Sequence, residues 1–413
     1  MNQNHINRRA FIKKSIEYTA VATFGIAGPW FQENAIAKKQ GSVIGVNELL
    51  EAVEASDVAG ANELLKKKLA EKGNAWKIHL ALYPAVQQVL NPPYINPHLP
   101  KMYAIYREFV PYLQEDEIAA LVHLEVTEYA KRPKLKKLPK AKILNIPVAF
   151  NDVEAAIEDQ DRKKTAILMA AFQAQNDGAA LARKLLLLGS GYLDQSLGHS
   201  ISCTAYILME MLQRTDQDPW PALTTLANYF CKGKFHDTPS LSQPSAFSDE
   251  AICYHLLRAA SGRGIVNLHH TITLYALQRV KQFFSAEEYH HLIGAWIAFL
   301  KNKKAQPVPL ASQEIQPVLD YDRFYKIFCS LEPESVAATA AGMVGTPQSR
   351  RQLSHFLIRS VCDQYRGDYN PHNLTGLGSV LWVVERFWNQ RSIAKNALFQ
   401  YLDFFFEDIK SKK

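Results

Sequence analysis

Apolar residues recur three and four positions apart along most of the chain. Leu49, Leu50 and Val53 open the pattern, Leu64, Leu65 and Leu69 continue it, and Ile118, Leu121, Val122, Leu124 and Val126 repeat it. It returns at Leu181, Leu185, Leu186 and Leu188, at Leu274, Leu277, Val280 and Phe284, and at Val380, Val383, Val384 and Phe387. With charged residues on the other faces, this is the 3.6-residue period of amphipathic helices. No Asn-Gly or Asp-Gly turn stands between two runs of alternating strand residues. Breaks fall at 91–97, 131–147, 233–248 and 301–319. The pattern predicts an all-α chain.

Short internal alignments refine that expectation. Asn47–Asp57 aligns without gaps on Asn151–Asp161, Leu197–Ser202 on Leu268–Thr273, and Asn96-Pro97-His98 on Asn370-Pro371-His372. Together they predict a degenerate helical repeat of four units, folded as a curved or closed α/α array over residues 38–413. Each unit carries a histidine where a helix is expected to begin: His98, His199, His270 and His372. One helix upstream, three of the units carry a further histidine, at His79, His255 and His355.

A histidine in the first turn of a helix lies at the positive end of the helix dipole, which disfavours imidazolium. In Asn-Pro-His the Asn suits a cap, and Pro suits the first helical position because its missing N–H would have no partner there. Neutral imidazole is the form that ligates a metal or accepts a proton. If equivalent positions of the repeat line one rim, His98, His199, His270 and His372 share a metal or catalytic pocket, with His79, His255 and His355 beside them. A histidine-rich set of this kind suits iron, copper or zinc, and iron or copper is the expectation for oxygen chemistry. Glu108, Glu125, Glu210 and Glu385 are the carboxylates on the same units, and each is expected on a solvated helix face.

Composition narrows the setting. Of 413 residues 47% are hydrophobic and 21% charged, enough to bury a large core and too apolar for a disordered chain. Residues 1–37 read as a twin-arginine signal peptide. Arg8-Arg9-Ala10-Phe11-Ile12-Lys13 precedes a mildly apolar stretch, and Ala35-Ile36-Ala37 offers a small-residue cleavage site. The expected location is therefore the periplasm, reached through the twin-arginine export machinery, with no integral span in the mature chain. The formal charge of +7 comes largely from one run, Lys131 to Lys142, broken by Pro133 and Pro139. That run reads as a basic linker over 131–147, and without interleaved aromatics it does not make a nucleic-acid groove. The five cysteines contain no C-x-x-C pair, which excludes covalent c-type haem and cysteine-type zinc knuckles. No P-loop, G-x-G-x-x-G, G-x-S-x-G or H-E-x-x-H is present.

Leu268-His269-His270-Thr271-Ile272-Thr273-Leu274-Tyr275-Ala276-Leu277 and Gly198-His199-Ser200-Ile201-Ser202-Cys203-Thr204-Ala205-Tyr206 resemble motifs of the questin-oxidase-like proteins. The resemblance implies an all-helical enzyme related to oxygen-dependent, Baeyer–Villiger-type cleavage of anthraquinone rings without a flavin fingerprint. On the motif itself it carries over His199 and His270 as catalytic residues. The expected activity is thus an exported oxidoreductase on a hydrophobic, aromatic small molecule in a histidine-lined pocket. A non-catalytic periplasmic helical-repeat protein that binds a ligand or protein partner is the alternative from another class.

Overall fold

Among the described residues the regular structure is helical: 19 α-helices, two short 3-10 turns and no strand, with only isolated bridges at Val89–Lys134 and Asn91–Tyr94. The computed structural model describes residues 46–71, 74–140, 146–233, 235, 249–309 and 320–412. The twin-arginine segment and its Ala35–Ala37 cleavage site lie outside the described residues, as do 141–145 of the basic stretch and most of the expected 233–248 loop.

Seven helices position the site: α1 (Ala75–Ala81), α2 (His98–Phe109), α3 (Glu115–Lys131), α4 (His199–Gln213), α5 (Gly264–Val280), α6 (His372–Arg386) and α7 (Arg391–Ser411). α2 packs against α4 and α6, and α5 packs against the same two, so these four contact one another in a cycle. They run in the same direction. Near their starts, Lys101 Nζ of α2 donates to Ser202 Oγ of α4 at 3.1 Å. Near their ends, Arg107 of α2 pairs with Glu210 of α4 at 2.7 Å, and Tyr275 of α5 stacks on Trp382 of α6. All residues of α2 are buried, and so is nearly all of α4, as expected of helices enclosed by others rather than laid on a surface. α7 covers α5 and α6 from outside, and α1 lies against α3.

Local chemistry sets the helix ends. α3 opens with a capping box between Gln114 and Glu117, and its first turn holds Glu115, Asp116 and Glu117 at the positive end of the dipole. α6 opens after Pro371, with Asn370 Oδ1 accepting the backbone N–H of His372 at 3.1 Å. α4 opens after Gly198, whose φ of +77° lies in the left-handed region and whose missing side chain leaves room for the Thr273 hydroxyl. On α6, a Cβ at Gly378 would stand 2.7 Å from Ile105 Cδ1, so that glycine lets α6 approach α2.

Two expectations need correction. α5 begins at Gly264, which places His270 in its second turn instead of at a helix start. The basic stretch is not simply a solvated connector: Lys131 closes α3, Arg132 pairs with buried Glu128, and Lys134 donates to the carbonyls of Tyr129 and Ala130. Those carbonyls at the end of α3 are the ones a helix leaves without internal partners.

Candidate metal centre

The starts of α2, α4 and α6 and the second turn of α5 bring four imidazoles together. His199 Nε2 lies 2.7 Å from His98 Nε2, 3.1 Å from His269 Nε2 and 3.4 Å from His372 Nε2. His98, His199 and His372 each offer a ring nitrogen within 4.8 Å of the others. All four rings are buried. Four nitrogens at ~2.0–2.1 Å from one ion stand about 3.3–3.4 Å apart in a tetrahedron and about 2.9 Å apart at right angles. The three spacings from His199 match that scale, and His269 joins the mutually close trio of His98, His199 and His372 through His199 and through His372, whose ring centroid lies 4.6 Å from its own.

The other ring nitrogens decide where the protons sit. His199 Nδ1 lies 2.6 Å from the Ser196 carbonyl, and His269 Nδ1 lies 2.7 Å from the Ile265 carbonyl. A carbonyl only accepts, so both Nδ1 atoms carry hydrogen and both Nε2 atoms present lone pairs. His372 Nδ1 likewise donates to Asn370 Oδ1 at 2.8 Å, the same oxygen that takes its backbone N–H. Around His98 the arrangement differs. Arg132 holds Asn91 Oδ1, which turns Asn91 Nδ2 toward His98 Nδ1 at 3.3 Å. The Asn96 carbonyl also takes a hydrogen bond from this ring, so a proton is accommodated on His98 Nδ1 and its Nε2, like those of His269 and His372, turns a lone pair toward His199.

Burial, first of all, pushes the four histidines below the ordinary imidazole range, His269 down to about 3. Burial, not the helix end anticipated from the sequence, is the largest cause, with the neighbouring imidazoles and Lys101 adding to it. Lys101, one turn after His98, has no exposed surface, and burial pushes its amine down to about 8. Neutral, nitrogen-only donors of this kind are the set that iron, copper and zinc accept, and no carboxylate or thiolate belongs to it. Oxygen acceptors on the far ring nitrogens supply the outer hydrogen bonds that fix histidine ligands and raise their basicity. The residues fit a transition-metal ion.

Of the histidines singled out in the sequence, the structure brings together His98, His199 and His372. His270 turns away from them. Its ring lies edge-on to Phe299 at 4.6 Å, and Lys303 Nζ donates to its Nδ1 at 3.3 Å. One residue is about 100° of helical rotation, which is why His269 faces inward and His270 outward. His79 is buried elsewhere, stacked between Trp76 and Tyr103, with Nδ1 2.9 Å from Glu125. His255 lies 2.8 Å from Arg258, and His355 lies 2.8 Å from Glu117. The carboxylates also differ from expectation. Glu125, Glu210 and Glu108 are buried against His79, Arg107 and Arg279, and only Glu385, paired with Arg350, is exposed. Buried acids of this kind persist because each has a partner.

Sequence reasoning missed His269, Lys101, and the Asn370, Ser196 and Ile265 acceptors. The His269-His270 doublet was the available signal, but residues 268–277 are all buried, so no polar face marks the phase of α5.

Compared with known protein families, curated proteins and solved structures, the chain matches none. No helix of the described residues is long and apolar enough to cross a membrane.

Proposed function

We propose that the protein is a metal-dependent oxidoreductase acting with oxygen on a hydrophobic aromatic substrate, and that His98, His199, His269 and His372 hold its metal, iron or copper. The observation that carries this reading is the pair of lone pairs on His199 and His269, which face each other at 3.1 Å with both Nδ1 protons engaged elsewhere. Neutral imidazoles so arranged repel unless a cation lies between them. The bound ion supplies redox chemistry with oxygen at neutral nitrogen donors.

The chain's own residues shape what meets that ion. α2, α4 and α6 direct their positive ends to this point, and Lys101 adds an amine, so an anionic group such as the ionised hydroxyl of a phenol is favoured there. Tyr94, 62% exposed, stands edge-on to His98 at 6.2 Å, with Ile95, 42% exposed, beside it. These two give a flat apolar molecule a surface to approach the buried histidines. The resemblance to questin-oxidase-like proteins supports the same substrate class, and the Arg8–Arg9 segment supports delivery to the periplasm.

Elemental analysis of the purified full chain should find close to one iron or copper per molecule, and oxygen uptake should appear on adding hydroxylated polycyclic aromatics. Protein without metal and inert to these compounds would favour the non-catalytic binding protein instead. Replacing Arg8 and Arg9 together by Lys should hold the precursor in the cytoplasm. Normal delivery of that variant would remove the periplasmic assignment.

A further inference from the structure

At the far end of the four-helix cycle, the same helices enclose a second group of chemically active side chains. The Tyr275 hydroxyl donates to Glu108 Oε2, and Arg279 Nε lies 3.3 Å from Glu108 Oε1. The Tyr275 ring stacks on Trp382 with centroids 5.3 Å apart and planes at 26°, and Tyr206 approaches it at 6.3 Å. Tyr275 and Glu108 are buried, whereas Trp382 is only partly so. Six residues separate His269 from Tyr275 on α5, about 9 Å along the helix.

We infer that Tyr275 is a one-electron redox site, with Glu108 as its proton acceptor and Trp382 as its outlet to the surface. A buried phenol is hard to oxidise unless its proton has somewhere to go, because the charged radical would be stranded in apolar surroundings. Glu108 Oε2 is already hydrogen-bonded to that proton. Burial raises its carboxyl above the ordinary range, making it a better base, while Arg279 opposes that shift and favours the charged form. A merely structural tyrosine needs only one hydrogen-bond partner, and a backbone carbonyl would serve without burying a carboxylate.

The steps balance. An oxidising equivalent arising at the histidine end takes one electron from Tyr275, and the phenolic proton passes to Glu108, leaving a neutral phenoxyl radical and a carboxylic acid. Trp382 returns an electron to Tyr275, and Glu108 returns the proton. A soluble reductant of the thiol or ascorbate class then reduces the Trp382 radical cation. The relay drains oxidising equivalents that find no substrate, so it rests on the proposed redox function for its oxidant. Its test does not.

Full-length protein carrying 3,5-difluorotyrosine at position 275 is oxidised with photogenerated tris(bipyridine)ruthenium(III), frozen and read by electron paramagnetic resonance. Fluorine splitting distinguishes this radical from those of the other tyrosines among the chain's 18. A fluorine-split signal is expected, falling at least fivefold in Trp382→Phe and in Glu108→Gln. Glu108→Asp, which keeps an acceptor, should retain at least half of it. Absence of the split signal, or its persistence in either of the first two variants, would overturn the relay. Because the oxidant is supplied from outside, a failure of the relay and a failure of the metal centre are told apart.

Discussion

His199 and His269 point their Nε2 atoms at each other across 3.1 Å while Ser196 and Ile265 carbonyls take the protons on the far side of each ring. The contact joins α4 to α5 and makes His269, not its neighbour His270, the partner of the centre. His269→Ala should therefore lower metal occupancy at least tenfold by elemental analysis. His270→Ala should leave it unchanged, since that ring meets Phe299 and Lys303 instead. Equal losses in the two variants would mean that the centre is assembled differently.

Asn370 holds His372 twice through one oxygen, at Nδ1 and at the backbone N–H. Outer partners of metal-bound histidine typically contribute ~10–100-fold to metal affinity. Asn370→Ala should weaken binding by about that factor in a chelator competition. Asn370→Asp, which keeps the acceptor, should restore most of it.

The buried pair His79 and Glu125 predicts a pH profile. Burial pushes His79 well below its ordinary 6.5 and Glu125 well above its ordinary 4.5, so the folded pair holds one proton across the neutral range. On these residues the unfolded chain holds two protons below pH ~4.5, one between ~4.5 and ~6.5, and none above. Their contribution to stability thus falls as pH drops below ~4.5, and falls again as pH rises above ~6.5 until Glu125 ionises. Urea titrations should show wild type losing about 1.4 kcal/mol per pH unit above ~6.5 relative to Glu125→Gln. The variant should instead lose stability as pH falls below ~6.5, because only its unfolded state takes up the His79 proton. Parallel curves for the two proteins would contradict the shared proton.

Gly198→Ala places a side chain at φ +77° and against the Thr273 hydroxyl. The left-handed backbone alone costs about 1–2 kcal/mol, and thermal unfolding should show at least that loss. Adding Thr273→Ala removes the contact and should recover only the remainder, since the backbone strain persists.

Much of the local structure was legible. Leu181–Leu188 and Val380–Val384 repeat at the helical period, and each lies in a helix, with Phe387 just past the end of the second. His98, His199 and His372 stood out beside Pro or Gly, where helices do begin. His269 was not legible because α5 is buried on every side from Leu268 to Leu277, so that stretch lacks the polar stripe that would have set its rotation. The acids Glu108, Glu125 and Glu210 looked like solvent residues because a sequence shows a charge without its partner, and Arg279, His79 and Arg107 lie on other helices or far along the chain.

The sequence by itself determined the helices and a set of histidines at or near their starts, because period, proline and glycine act within a few residues of one another. The side-chain cap expected from Asn96 is absent, since Pro97 itself precedes the first helical residue. Only the tertiary structure decided which nitrogens meet. The convergence of His98, His199, His269 and His372 depends on four helices running in the same direction in a closed cycle of contacts. It depends equally on a rotation of α5 by a single residue. Both are settled by packing between segments that lie 70 to 173 positions from His199, where no local pattern reaches.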